Sequence, residues 1–208
     1  MNIFVTGTGT GIGKTVISAI ITEALRADYW KPVQAGFDEG TDSEWVKKVL
    51  TNDKSVIHPE AYKLRLPASP HIAAREENIR IDLDKIYELL PGAANLVIEG
   101  AGGIMVPLNE NEFVIDLIKK LEARVVIVSR NTLGSINHSL LTAMACKQKG
   151  LRVLGWVFNG SYLDYEDEIV KWSGYHYLGS VPFVETADKK FVAEQAAEME
   201  KQFYNWPW

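Results

Sequence analysis

The sequence predicts an α/β fold: one domain over residues 1–208, built on a mostly parallel β-sheet with helices on both faces. Three observations predict it. Short apolar runs recur along the chain, at residues 3–5, 96–98, 125–128, 153–158 and 178–181. Several are apolar at every position, which marks strands buried on both faces. Segments of helical periodicity lie between these runs. A glycine-rich stretch joins the first run to the first helical segment. Ligands of such sheets gather there, beyond the carboxyl ends of the strands.

Taken in order, Val16, Ile17, Ile20, Ile21, Ala24 and Leu25 form the apolar stripe of a first helix. Tyr29-Trp30 ends a second strand, and Asp42-Ser43-Glu44-Trp45-Val46 opens a further helix. Leu83, Ile86, Leu89 and Leu90 make another stripe. Ile136, Leu140, Leu141, Met144 and Ala145 make one more, with Lys147 and Lys149 near its end and Gly150 as its stop. Residues 34–41, with two glycines and two acids, read as a loop. So do residues 58–71, where Pro59, Pro67 and Pro70 forbid one regular helix.

Composition excludes several function classes. The 22 Lys and Arg residues are outnumbered by 27 Asp and Glu, giving a net charge of -5. That balance argues against a nucleic-acid or anionic-membrane surface. No apolar run reaches the ~20 residues of a membrane span. No basic segment followed by an apolar stretch and a cleavage site opens the chain, so the expected location is the cytoplasm. Cys146 is the single cysteine, which excludes an intramolecular disulfide. It falls within a helix and reads as packing. The histidines at 58, 71, 138 and 176 show no zinc-like spacing. The end Phe203-Tyr204-Asn205-Trp206-Pro207-Trp208 reads as a docking tail.

The chemistry concentrates in Gly7-Thr8-Gly9-Thr10-Gly11-Ile12-Gly13-Lys14-Thr15. A glycine-rich loop after a strand and before a helix turns backbone N–H groups inward around phosphate oxygens. The helix start adds partial positive charge. Lys14 reaches the outer phosphates, and the Thr15 hydroxyl suits Mg²⁺. The loop is one residue longer than the usual pattern, with five residues between Gly7 and Gly13-Lys14-Thr15. Glu99 directly follows a buried strand, where an acid is expensive unless it is paired or metal-bound. Asp42 at a helix start serves as a cap or dipole partner on its residues alone. Lys31 on the same terms is an ordinary solvated lysine. Gly134, Ser135, Ile136 and Asn137 begin a helix whose free N–H groups can hold an anion.

The lengthened loop, with Lys31-Pro32-Val33, Ser69-Pro70-His71, Glu99-Gly100-Ala101-Gly102-Gly103, Leu133-Gly134-Ser135-Ile136-Asn137-His138 and Gly155-Trp156-Val157-Phe158-Asn159, resembles the dethiobiotin synthetase family. The resemblance runs from residue 3 to about Pro182. It implies a three-layer P-loop NTPase fold and a homodimer with the active site at its interface. It also implies an ATP- and Mg²⁺-dependent reaction of 7,8-diaminononanoate with CO₂, giving dethiobiotin, ADP and phosphate. Carried over by residue, it places ATP on Gly9, Thr10, Gly11, Ile12, Gly13, Lys14 and Thr15, with Asn159 and Pro182 at the base. Catalytic roles fall to Thr10, Lys14 and Lys31. Mg²⁺ falls to Thr15, Asp42 and Glu99, with Asp38, Glu39 and Glu44 as rivals to Asp42. The substrate falls to Lys31, Ala35, Gly102, Gly134, Ser135 and Asn137, the last three acting from across the dimer; Asn137 is alternatively a local helix-turn hydrogen-bonder. Departures stand at Gly9 and Gly11, where the family also has acids, at Ala35, where it also has a hydroxyl, and at Gly160, where an acid is common.

A nucleotide-dependent switch ATPase of the partitioning and septum-positioning type is the rival reading. Those proteins carry a signature lysine early in the loop, where this chain has Gly9. An amidotransferase synthetase needs a glutaminase domain with a nucleophilic cysteine, for which this chain has neither length nor context. In a dinucleotide fingerprint, Ile12 would have to be glycine.

Overall fold

In the computed structural model, Ile3 and Val5 face one apolar layer and Phe4 faces another, so the first strand is buried on both sides. The next strands repeat that alternation: Val97 against Leu96 and Ile98, Val126 and Val128 against Val125 and Ile127, Val157 against Trp156 and Phe158. Wholly apolar runs are the consequence. The structure describes residues 1–207; Trp208 and the side chain of Tyr204, both part of the expected docking tail, lie outside the described residues.

In chain order the elements are β1 (Asn2–Gly7), α1 (Lys14–Leu25), β2 (Asp28–Trp30), β3 (Val33–Ala35), α2 (Asp42–Val49), β4 (Ile57–His58), β5 (Tyr62–Leu64), α3 (Pro70–Glu76), α4 (Leu83–Glu88), β6 (Leu96–Glu99), α5 (Val114–Lys120), β7 (Arg124–Arg130), α6 (Ser135–Lys149), β8 (Val153–Asn159), α7 (Glu166–Ser173), β9 (Tyr177–Val181) and α8 (Lys189–Glu200). A 3-10 turn over Phe203–Asn205 follows. Seven strands form one sheet in the order β4-β2-β6-β1-β7-β8-β9, and every pairing is parallel. Helices α1, α2 and α8 cover one face, through Ile17, Ile20, Val46, Val192 and Ala196. Helices α4, α5, α6 and α7 cover the other, through Ile86, Leu117, Ala143, Cys146 and Ile169. This is the expected three-layer α/β arrangement.

The chain leaves β1 toward β2 and β4, returns to β6, and then crosses to β7 on the other side of β1. The loops after β1 and β6 therefore sit together at the point where the strand order turns back, which is where such sheets bind ligands.

Three expectations need correction. The stretches 34–41 and 58–71 are not loops throughout: β3 and β5 form a separate two-stranded parallel pair, with Val33 beside Tyr62 and Ala35 beside Leu64. Strands of three residues are too short for their alternation to show in a sequence. Helix α3 also begins within the second stretch, with Pro70 in its first turn, where the missing N–H costs nothing. Finally, the apolar stripe of α6 faces the sheet only in part: Ile136 and Ala145 pack against the core, half-buried, while Leu141 and Met144 turn outward. That helix buries Ser135, Ser139, Thr142, Ala143 and Cys146 instead, small side chains that let it lie close to β7, with Ser139 Oγ 2.9 Å from Ser129 Oγ. Leu141 and Met144 stay 55% and 65% exposed, and Leu133 before the helix 91%. Gly150 closes α6 in the left-handed conformation, as its position suggested.

The described part of the aromatic tail docks on its own chain. Trp206 is buried and donates from Nε1 to the Leu178 carbonyl at 3.3 Å, at the edge strand of the sheet. No helix among the described residues is long and apolar enough to cross a membrane.

Candidate active site

Parity along β2 and β6 builds the centre of the site. Tyr29 pairs with Val97 and Trp30 with Ile98, so Lys31 comes out beside Glu99 one step beyond the last pair. Val5 pairs with Glu99 on the other side. Glu99 shares the sheet face of Val5 and Val97, the face that α1 covers, and Thr15 in the first turn of α1 stands over it.

The Glu99 carboxylate is 1% exposed. Its Oε1 accepts from Thr15 Oγ1 at 2.8 Å and from Lys31 Nζ at 3.0 Å, and its Oε2 accepts from the Tyr29 hydroxyl at 2.8 Å. Lys31 is buried and also pairs with Asp42. Burial pulls the Lys31 ammonium down, but the Glu99 and Asp42 carboxylates outweigh it and raise its pKa. Burial raises Tyr29 well above its usual value, with the Glu99 charge acting in the same direction, so the phenol stays a donor. Asp42 is the first residue of α2, behind a Thr41 cap whose side chain accepts from the Glu44 N–H, while the Glu44 carboxylate accepts from the Thr41 N–H. Glu44 is thereby committed to the helix end. The Asp42 N–H is held by Gln34 Oε1 at 3.3 Å.

The glycine-rich loop wraps the amino end of α1. Gly13 caps that helix at φ 92°, and a Cβ there would lie 2.1 Å from Asn159 Nδ2, so the position requires glycine. Asn159 donates from Nδ2 to the Ile12 carbonyl at 2.9 Å, tying the end of β8 to the loop. Lys14 curls back to the Gly9 carbonyl at 2.8 Å. Burial lowers its pKa to about 8, with Glu99 and Asp42 holding it up and Lys31 pressing it down. A side chain added at Gly9 would meet open space, so that departure changes what the loop offers a ligand rather than how it packs; Gly11 also has space but sits at φ 71°, a backbone that favours glycine.

A cleft of about 780 Å³ lies over these groups. Thr10, Gly11, Gly13, Lys14 and Thr15 form one wall, Lys31, Ala35, Asp42 and Glu99 the floor, Gly102 a side, and Asn159 and Pro182 the far end. Fourteen of the sequence-predicted positions are thus brought into one place or the loop beside it, Gly9 and Ile12 included through their carbonyls. Gly134, Ser135 and Asn137 are not. Ser135 Oγ is spent on the Tyr165 hydroxyl at 2.6 Å, and Asn137 lies exposed at the start of α6.

One hydroxyl and two carboxylates around a single buried ammonium are the donors of a hard, oxygen-preferring cation. No group of three His, Cys, Asp or Glu side chains able to hold a metal exists among the described residues. An ion here must complete its shell with hydroxyl, water or phosphate oxygens, as Mg²⁺ does beside a nucleotide. Cys146 is buried and its thiol is pushed up to about 12, which suits packing and not nucleophilic chemistry.

The comparisons agree with this geometry. A family model described as an AAA domain matches residues 1–190. The ATP-dependent dethiobiotin synthetase BioD of Cytophaga hutchinsonii is 47% identical over 98% of this chain and 97% of the relative. That of Christiangramia forsetii is 44% identical over 96% of each. The chain belongs to the ATP-dependent dethiobiotin synthetase family. As such a synthetase it is a cyclo-ligase that forms carbon–nitrogen bonds at the expense of ATP. Among solved structures, the cell division ATPase MinD of Pyrococcus furiosus superimposes with a TM-score of 0.59 at 15% identity, covering 96% of this chain and 98% of that one. A ParA family ATPase from Chlorobium tepidum gives 0.53 at 14%, covering 98% and 92%. Likeness at that identity shows a shared fold and nothing about function.

Sequence reasoning missed Tyr29 and Gln34 in this synthetase. Tyr29 carried a usable signal: it stands two residues before Lys31, hence on the same sheet face. Gln34 carried none, because β3 was invisible.

The lowered Lys14 value makes a prediction. Above about 8 the free Lys14 is largely neutral, whereas a triphosphate favours the charged ammonium. Nucleotide binding above that pH should therefore take up a proton. Calorimetry in buffers of different ionisation enthalpy should show this uptake, and Lys14→Met should abolish it; an identical buffer dependence in the variant assigns the proton elsewhere.

Proposed function

We propose that this chain carboxylates 7,8-diaminononanoate with CO₂ and closes the ureido ring to dethiobiotin, releasing ADP and phosphate, as a homodimer in the cytoplasm. One observation carries the reading: Lys31, a buried ammonium at a cleft floor, held by Glu99 and Asp42 next to the phosphate loop. An ammonium has three N–H donors. Two go to the carboxylates, and the third remains for an incoming anion.

The chemistry asks the protein to place charge and exclude water rather than form a covalent intermediate. One amine of the substrate adds to CO₂ and loses a proton, giving a carbamate. A carbamate oxygen attacks the γ-phosphorus and ADP leaves, giving a carbamic–phosphoric anhydride. The second amine attacks the carbonyl carbon, loses its proton, and expels phosphate as the ring closes. Lys31 neutralises the carbamate and then the transferring phosphoryl group. Lys14, with the loop amides from Gly9 to Thr15 and the Thr10 side chain, holds the outer phosphates. Mg²⁺ held by Thr15, Asp42 and Glu99 would neutralise charge on the triphosphate. Asn159 and Pro182 bound the base; with one N–H of Asn159 on the Ile12 carbonyl, the base meets its Oδ1 and the remaining N–H. Gly160 leaves the neighbouring position without a charge, which widens the choice of base. Ala35 and Gly102 let the diamine approach the backbone.

The substrate carboxylate falls to Gly134, Ser135 and Asn137 of the second subunit. Exposed large apolar side chains support this, Leu133 just before α6 and Leu141 and Met144 on it, the helix that would donate those groups.

The assay that tests the reaction mixes the diamine, bicarbonate and MgATP. Phosphate release that depends on the diamine, together with a ureido product, is expected; their absence rejects the reading. Lys31→Ala should lower kcat by about 10²–10³, the usual cost of removing one transition-state donor, and a near-normal rate removes its role. Leu141→Glu should convert a sedimenting dimer to a monomer that binds ATP but makes no product. A wild-type protein that is monomeric while active contradicts the shared site.

A further inference from the structure

Thr15 and Lys31 both donate to the same oxygen of Glu99, at 2.8 and 3.0 Å. Rotation about the Cγ–Cδ bond moves both carboxylate oxygens together, so a partner on Oε2 also sets where Oε1 points. The second oxygen accepts from the Tyr29 hydroxyl at 2.8 Å. Tyr29 is completely buried, and its ring packs in the layer that holds Val97, Ile17 and Val46. Its strand lies directly beside that of Glu99. A ring fixed by that packing offers its hydroxyl in one direction, so the phenol holds the carboxylate rotation from the side opposite Thr15 and Lys31.

We propose that Tyr29 is a positioning residue: by holding Glu99 Oε2 it keeps Oε1 turned to the Thr15 side, and so sets the affinity of the nucleotide-bound enzyme for its divalent cation. This rests on the assignment of Glu99 and Thr15 to the cation made above. Partners that orient a metal ligand typically change metal affinity by about 10–100-fold when removed. Tyr29→Phe keeps the buried ring and removes only the oxygen.

The test titrates Mn²⁺ by electron paramagnetic resonance into the protein saturated with ADP, for wild type, Tyr29→Phe, Glu99→Gln and the double variant, beside ADP binding without metal. Tyr29→Phe is expected to weaken Mn²⁺ binding about tenfold, to leave metal-free ADP affinity unchanged, and to add nothing in the Glu99→Gln background. A wild-type Mn²⁺ isotherm for Tyr29→Phe overturns the proposal. So does an equal loss of metal-free ADP binding, or a full further loss in the double variant, since either describes a merely structural tyrosine. Glu99→Gln binding Mn²⁺ like wild type is a separate failure, that of the cation assignment itself. Should Tyr29→Phe not fold, 3-fluorotyrosine placed at position 29 keeps the contacts and strengthens the donor; a shifted Mn²⁺ midpoint supports the proposal and an unmoved one overturns it.

Discussion

A carboxylate at the end of a buried strand is the constraint on which the rest of the site depends. Taking Glu99 out of water costs several kcal/mol unless the charge is met. The protein meets it with a lysine, a threonine and a tyrosine, supplied by the segment after β2, by α1 and by β2 itself. Lys31, buried in its turn, needs a second acid, and Asp42 at the start of α2 provides it. One unfavourable burial thus ties three elements to the sheet at the place where the phosphate loop opens. Thr15, Lys31, Asp42 and Glu99 also line the cleft, so the groups that stabilise the corner face the same space.

Much of this was legible because its physics is local. Strands buried on both faces must be apolar at their buried positions, and β1, β6, β7 and β8 read so, whereas the edge strand β9 leaves Tyr177 and Ser180 exposed. The loop from Gly7 to Thr15 needs glycine at Gly13, where a Cβ would meet the Asn159 side chain. Other features depend on packing that a sequence does not display. β3 and β5 are three residues each and stabilise one another across a gap of more than twenty residues. Helix α6 hid its orientation: Leu141 and Met144 of its stripe are exposed while Ile136 and Ala145 pack inward, so the inference from stripe to core holds for only part of it. Tyr29 lay between these cases. Strand parity placed it with Lys31 and Glu99, but an aromatic in a strand reads as core until the hydroxyl partner is known.

The likeness to MinD and ParA ATPases illustrates how little the fold decides. The sheet, the loop and the helix layers superimpose at 14–15% identity, while the chemistry resides in a few side chains set on that frame. Here Gly9 leaves the early loop position bare, and charge enters the cleft floor through Lys31 instead. On the function proposed above, a fixed cation at that floor meets developing charge without reorganisation at the moment of reaction.

Coupling between Lys31 and Glu99 tests the central claim most directly. A double-mutant cycle on folding stability, with Lys31→Met, Glu99→Gln and both together, measures it by chemical denaturation. Breaking a buried pair from one side costs about 3–5 kcal/mol, whereas replacing both charges is far milder. The account predicts that the double variant regains most of the stability lost by Lys31→Met. Additive losses would contradict it, and would mean that the two groups stand side by side without sustaining one another.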